Sequence, residues 1–262
     1  MSEKEHIAES RLTSARGRPP VVGARGRRAC RGVVGPGPAL ALCPTPGTSW
    51  KQMDEKRRAR LVQQIRRMGI RNGRLWEAVE RVDRADYVPP GLSPREVYQD
   101  APVGIGQGQT TSQPSLVAQM IDALELDPAD AALEIGTGFG YQTALLASVC
   151  ATVVSVERYS ELARQAHTNL AAAGFENVRV VTGDGTQGVP EEAPFDGIVV
   201  SAAAPDVPPA LVEQLADGGR MVIPLGPGGR EVIVVYEKHQ GSLRQIERMT
   251  AAAFVPLVPG EE

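Results

Sequence analysis

Residues 133–140 read Leu-Glu-Ile-Gly-Thr-Gly-Phe-Gly, and no other stretch constrains the fold of this 262-residue chain as strongly. Gly136, Gly138 and Gly140 recur at every second position, and Glu134 stands two residues before the first of them. A strand that runs into such a turn leaves bare backbone where side chains would otherwise stand. A flat nucleoside can then lie directly against the main chain. A dinucleotide fingerprint spaces its glycines G-x-G-x-x-G, and its third glycine serves helix packing beside a pyrophosphate. The spacing here is G-x-G-x-G. An ordinary glycine-rich turn has the same composition, so the surrounding chain has to separate the two readings.

Beyond Pro128 the chain alternates strand and helix patterns. Strands are expected at Ala131–Ile135, Thr152–Val156, Val178–Val181, Gly197–Ser201, Arg220–Pro224 and Val232–Tyr236, with a last one between Ile246 and Val255. Helices are expected over Tyr141–Val149, from a Ser160 cap to Gly174, and near Pro208–Leu215. This alternation predicts an α/β fold, a Rossmann-like doubly wound and mostly parallel sheet covered on both faces. Its ligand crevice should lie at the carboxyl ends of the first strands. Ahead of it, Leu61, Val62, Ile65 and Met68 mark one amphipathic helix, and Leu75, Val79 and Val82 mark a second that runs until Val88-Pro-Pro-Gly. Residues 97–113 are turn-rich, too glycine-rich for an ordinary strand, and read as a functional loop. A helix follows with Ser112 as its N-cap and Pro114 in its first turn.

Charge divides the chain unevenly. Residues 1–52 carry nine Lys/Arg against three Glu, a net +6, whereas the remainder carries −9 within the total of −3. The acidic body argues against nucleic-acid binding. The Arg/Gly/Pro-rich head has no apolar periodicity and is expected to be disordered. It is either a tail or a product of a mis-assigned start, with Met53 as the alternative. Residues 53–127 then supply N-terminal helices and the loop, forming one globular unit with the nucleoside-binding part at 128–262. No stretch is apolar enough to span a membrane. Cys30, Cys43 and Cys150 make no metal-type pair, and His6, His167 and His239 are scattered. No metal site is expected, and a cytoplasmic monomer is the default reading.

Two further acids follow at informative positions. Glu157 closes the second strand, 21 residues after Gly136, where an acid is the expected partner of ribose hydroxyls. Asp184 lies in Thr182-Gly-Asp-Gly-Thr after the third strand, where it can reach an adenine amino group. With the glycine turn, this order of motifs resembles the S-adenosylmethionine-dependent methyltransferases of class I. The loop narrows the resemblance. Tyr98-Gln-Asp-Ala-Pro and Gly106-Gln-Gly-Gln-Thr-Thr-Ser-Gln-Pro-Ser-Leu-Val-Ala closely resemble the protein-L-isoaspartate (D-aspartate) O-methyltransferase family. So do Phe195–Pro205, Leu211–Leu225 and the closing Phe254-Val-Pro-Leu-Val, so that the likeness covers roughly residues 54–260. One departure is Thr111, where the family usually has isoleucine.

The resemblance implies transfer of a methyl group from S-adenosyl-L-methionine to the α-carboxyl of L-isoaspartyl residues in damaged proteins and peptides. The ester then closes to a succinimide, whose hydrolysis returns some normal aspartate. It implies Ser112 as the active-site serine, orienting the substrate carboxylate at a helix N-terminus. Gln109, Thr110 and Thr111 would cover the methyl donor, Glu134 would assist its ammonium, and Gly136, Thr137, Gly138, Gly140, Glu157, Asp184 and Gly185 would hold the rest. Ala204, Pro205, Val255 and Pro256 would flank the peptide. Three rivals stay open: a methyltransferase acting on an aspartate of a ribosomal peptide precursor, an NAD-dependent oxidoreductase, and a non-catalytic binding module.

Overall fold

The computed structural model describes residues 50–227 and 229–260, with side chains described from Met53 onward. The head read as residues 1–52 therefore lies outside the described residues, save its last three. Helix α1 (Trp50–Arg66) starts at those residues and buries Leu61 and Ile65. Met68 lies past its end and is 43% exposed, so it is not part of the buried stripe. Helix α2 (Gly73–Arg81) begins where the Asn72 side chain accepts from the amides of Arg74 and Leu75. It stops at Arg81, short of the expected Val88, because Val82 and Asp83 turn extended and a 3-10 turn (Arg84–Tyr87) intervenes. Helix α3 (Pro94–Val97) opens with a reciprocal Ser93–Glu96 capping box.

The turn-rich segment holds a small antiparallel hairpin, β1 (Val103–Gly106) with β2 (Gln109–Thr111). Its glycines do not prevent strand pairing. They supply the positive φ of the connection, 95° at Gly106 and 69° at Gly108, around Gln107 at 52°. Helix α4 (Pro114–Leu124) follows, with Gln113 rather than Ser112 at its cap and no side-chain cap bond. Pro114 fixes the first helical residue and forces the one before it out of helical geometry, which moves the cap one place along. Ser112 is thereby left in the connection.

The main sheet then builds from β3 (Ala131–Ile135), β4 (Thr152–Glu157), β5 (Val178–Thr182), β6 (Phe195–Val200), β7 (Leu215–Leu225), β8 (Glu231–His239) and β9 (Ser242–Ala252). Helices α5 (Tyr141–Ala147), α6 (Ser160–Ala172) and α7 (Pro209–Gln214) connect its parallel part, and Tyr159, not Ser160, stands at the cap of α6. The strand order is β5-β4-β3-β6-β7-β8-β9. The first five strands are parallel, and β8 and β9 return antiparallel. Asp217-Gly-Gly forms a bulge within β7, because β6 pairs with Leu215 and next with Arg220.

Alternate residues face opposite sides. Ala132, Val153, Val199 and Val222 pack under α1, α2, α4 and α5, and Leu133, Val154, Ile198 and Met221 pack on the face that α7 covers. Each fully buried Leu, Ile or Val contributes about 1.5–3 kcal/mol, so these two layers carry the fold. The chain enters the sheet at β3, walks outward through β4 to β5, then returns to β6 on the other side of β3. That reversal between β3 and β6 is the crevice where a doubly wound sheet takes its ligand.

Candidate active site

At the carboxyl ends of β3 and β6 the backbones stay close. The amide of Ser201 donates to the Ile135 carbonyl at 2.8 Å, and that of Gly136 donates to Val156 at 2.8 Å. A cavity of about 1000 Å³ of empty space, part of it open to solvent, begins there. Its floor is Ile135-Gly-Thr-Gly138, one wall is the hairpin with Gln109, Thr110 and Thr111, and Ser112 sits at the end of that wall. Glu157 and Gly185 close the strand side, and Val255 and Pro256 close the rim. Two positions show why glycine is needed. A Cβ on Gly138 would come 3.0 Å from Ile105 Cδ1, and one on Gly185 would overlap Ile135 Cγ2. Side chains there would run into Ile105 and Ile135, which themselves line the cavity.

Glu157, 6% exposed, turns both oxygens toward backbone: Oε2 accepts from the Gly138 amide at 2.8 Å and Oε1 from Tyr159 at 3.1 Å. It thus ties the end of β4 to the glycine turn and leaves acceptor lone pairs on the cavity wall. A second cavity adjoins the first and shares Thr110, Ser112, Ser201 and Val255 with it. Among the described residues no Lys or Arg lines it; Gln113, Leu116, Phe254 and the Ala251–Ala253 run do. The Ser112 hydroxyl has no partner among the described residues and lies on the wall common to both.

A model of the protein-L-isoaspartate(D-aspartate) O-methyltransferase family (PCMT) matches residues 56–262. The chain belongs to this family. It is 47% identical over 211 residues to the protein-L-isoaspartate O-methyltransferase of Methanoregula boonei, covering 80% of this chain and 96% of that one. Against protein-L-isoaspartate O-methyltransferase 2 of Marinobacter nauticus it is 48% identical over 213 residues, 81% of this chain and 96% of that one. A solved protein-L-isoaspartate O-methyltransferase superposes with TM-score 0.70 at 29% identity, over 76% of this chain and 65% of that chain. A Plasmodium falciparum relative, solved in complex with S-adenosyl-L-homocysteine, gives TM-score 0.64 at 26% identity over 76% of this chain and 97% of that chain.

Against this family identity, five residues read from the sequence as site residues stand outside the cavity wall. Glu134 is fully buried on the helical face of β3. Its register partner on β4 is Ser155, whose hydroxyl donates to Oε2 at 2.5 Å, as does Thr143 of α5 from above. Thr137, on the cavity floor, shares a 2.5 Å hydrogen bond with Ser155, so Glu134 reaches the floor through that chain. Burial pushes its carboxyl up to about 7, against the hydroxyl and Gln142 bonds that favour the charge. Its Oε1 has no hydrogen-bond partner.

Gly140 packs the helices: a Cβ there would sit 3.2 Å from Leu170 of α6. The third glycine of the G-x-G-x-G run therefore does what the third glycine of a dinucleotide fingerprint does. Asp184 closes its own turn, accepting from the Thr186 amide at 2.8 Å and the Thr186 hydroxyl at 2.7 Å. Although desolvation opposes it, these bonds, the Gly260 amide and Arg158 hold its carboxyl below the ordinary range. Ala204 is buried and bridges to Leu225, and Pro205 is exposed beyond it. The apolar rim comes instead from Val255, Pro256 and Leu257.

The expected helix N-terminus behind Ser112 is already occupied. Asp100 accepts from the Ser115 amide at 2.9 Å, and from the side chains of Gln64 and Gln113 at 2.9 and 3.2 Å. Ile105, Tyr141, Gln142, Tyr159 and Ser201 also line the cavity, as does Arg158, and none of these was read from the sequence as a site residue. Ser201 and Gln142, joined at 2.8 Å, were within reach of the rule that ligands sit at the carboxyl ends of strands flanking the reversal. Nothing in the pattern distinguishes Ile105 or Tyr159 from core residues. Among the described residues no group of three or more His, Cys, Asp or Glu could hold a metal, and no helix is long and apolar enough to cross a membrane.

Proposed function

We propose that this chain is a repair methyltransferase, a protein-L-isoaspartate(D-aspartate) O-methyltransferase that acts on the α-carboxyl of L-isoaspartyl residues. One observation carries the reading. A glycine-floored cavity with an acid on its wall meets a neutral pocket across a single unpartnered serine hydroxyl. The residues suit S-adenosylmethionine. Gly136, Gly138 and Gly185 present bare backbone to the cavity, and Glu157 offers acceptors suited to ribose hydroxyls. When bound, S-adenosylmethionine supplies an electrophilic methyl group on a sulfonium.

The chain's own residues then have a limited task. A carboxylate acceptor is ionised at neutral pH, with a reference pKa of roughly 4, so it needs no general base. His167 is exposed on α6 and His239 is exposed at the end of β8, which agrees with chemistry that uses neither. Ser112 orients the acceptor by hydrogen bonding from the shared wall. Gln109, Thr110 and Thr111 cover the donor side and exclude water. Gly136 and Thr137 form the floor beside Gly138, and Val255 and Pro256 flank the peptide. Glu134 and Asp184 act from behind, Glu134 through Ser155 and Thr137, and Asp184 by shaping the turn that sets Gly185 in place. An acceptor pocket without cations leaves the carboxylate's nucleophilicity undiminished. We read the protein as a cytoplasmic monomer acting on peptides and proteins, not on nucleic acids, on the strength of its acidic body and the buried free thiol of Cys150.

The test is methyl transfer from labelled S-adenosylmethionine to an isoaspartyl peptide beside its normal aspartyl twin. Base-volatile label on the isoaspartyl peptide alone is expected. Absence of label on both, with S-adenosylhomocysteine still bound, would overturn the repair reading and leave a dedicated peptide precursor as the acceptor.

A further inference from the structure

Arg84 is a buried cation with no assigned part in the site. It lies in the 3-10 turn after α2, is 2% exposed, and has a pKa lowered by burial, with Tyr141 and Asp100 opposing. A guanidinium stays charged in such a setting, so its placement has to be repaid by hydrogen bonds. All those it makes go to one segment. Nη1 donates to the carbonyls of Val97 and Gln99 at 3.0 and 2.8 Å, and Nη2 to those of Ala101 and Ser112 at 2.8 and 3.4 Å. These carbonyls bracket the hairpin: Val97, Gln99 and Ala101 lie six, four and two residues ahead of β1, and Ser112 lies one residue after β2. No strand ladder reaches them, and only Gln99 has a second donor, the Ala101 amide at 2.9 Å, so without Arg84 the other three would be wholly or partly buried acceptors lacking a donor among the described residues.

We propose that Arg84 is a positioning residue for methyl transfer, fixing the distance of Ser112 and the hairpin wall from the glycine floor. The planar fork matters as much as the charge. One guanidinium reaches four carbonyls from two directions, whereas an ammonium is a point that serves fewer. Asp100 completes the clamp from the other side. It stands between two of the carbonyls that Arg84 holds and fastens the same segment to α1 through Gln64 and to α4 through the Ser115 amide. Arg84 touches neither cavity described above, so its effect passes through the backbone of Ser112. This assignment rests on the functional reading for its kinetic consequence, but not for its structural one.

The experiment uses the full chain and two readouts. In the unaltered protein, amides of residues 97–113 should exchange slowly, within about tenfold of β3. In Arg84→Lys those amides should exchange at least tenfold faster while β3 and β6 keep their protection. With an isoaspartyl peptide, kcat/KM should fall at least tenfold, carried by kcat and by the peptide KM, and S-adenosylhomocysteine affinity should change less than threefold. Arg84→Met, similar in length but uncharged, should be the more damaged of the two. The proposal is overturned if the unaltered segment exchanges freely, if Arg84→Lys stays within twofold of the parent in kcat/KM, or if exchange rises evenly across the sheet. An unaltered protein that methylates no isoaspartyl peptide would sink the functional reading, and the exchange result alone would then decide the role of Arg84.

Discussion

The two walls of the cavity are held by opposite means. The floor at Gly136–Gly138 is an extension of the sheet: backbone amides of Gly136 and Ser201 continue the ladder, and Glu157 fastens the turn from the neighbouring strand. The facing wall, from Gln109 to Ser112, has no such ladder beyond its own short hairpin. It is hung from Arg84, which arrives from the turn after α2, and is fastened outward by its own Asp100. A wall made of sheet backbone is rigid because the whole core holds it. A wall hung on two charged groups is rigid only while both stay paired, and it can be loosened without unfolding the protein.

The largest expected effect would break the floor. Gly185→Val drives a branched side chain into Ile135 and the cavity, costing about 1–3 kcal/mol of stability. Calorimetric titration should show S-adenosylhomocysteine binding weakened by roughly tenfold to a hundredfold. On the hung wall, Ser112→Ala removes one neutral hydrogen bond worth about 0.5–1.5 kcal/mol, so kcat/KM for an isoaspartyl peptide should fall by up to about tenfold. Cofactor affinity should scarcely move, which separates the two walls.

A pH series sharpens the comparison from beneath the floor. Glu134 keeps its proton up to about 7 in the folded protein, against a reference near 4.3 in the unfolded chain. Its contribution to stability is therefore complete below about 4.3 and is lost as pH rises toward 7, at up to about 1.4 kcal/mol per pH unit. Denaturant midpoints for Glu134→Gln should lack that slope. A parent protein whose midpoints show no excess slope over the variant would refute it. The smallest effect is assigned to His167→Ala on the exposed face of α6: stability within about 0.5 kcal/mol and unchanged methyl transfer.

The same contrast explains what the sequence made legible. The floor is written in local pattern, because a strand, three glycines and an acid 21 residues on are all backbone requirements with fixed spacing. The mostly parallel sheet followed from alternation for the same reason, whereas the strand order is seen only in the fold. The Arg84 contacts join residues 13 to 28 positions apart and obey no period, so nothing marks Arg84 out within a helix expected to run to Val88. Ser112 was read as a cap because serine ahead of an apolar run usually is one, but Pro114 took that position away. Glu134 and Asp184 are expected from the sequence among the residues that hold the cofactor; their hydroxyl and amide partners, which only folding reveals, set them behind the cavity wall. The apolar rim was split between two candidate segments, and folding chose Val255–Leu257 over Ala204 and Pro205.

That rim has a consequence for how the site can fail. Val255 and Leu257 are threaded onto Ala203 by two backbone bonds of 2.7 Å, the Phe254 amide is held by buried Glu231, and Arg158 grips the carbonyls of residues 258–260. None of these bonds belongs to the parallel strands, so a change that frees this segment leaves the sheet and the glycine floor paired but turns the cavity into an open trough.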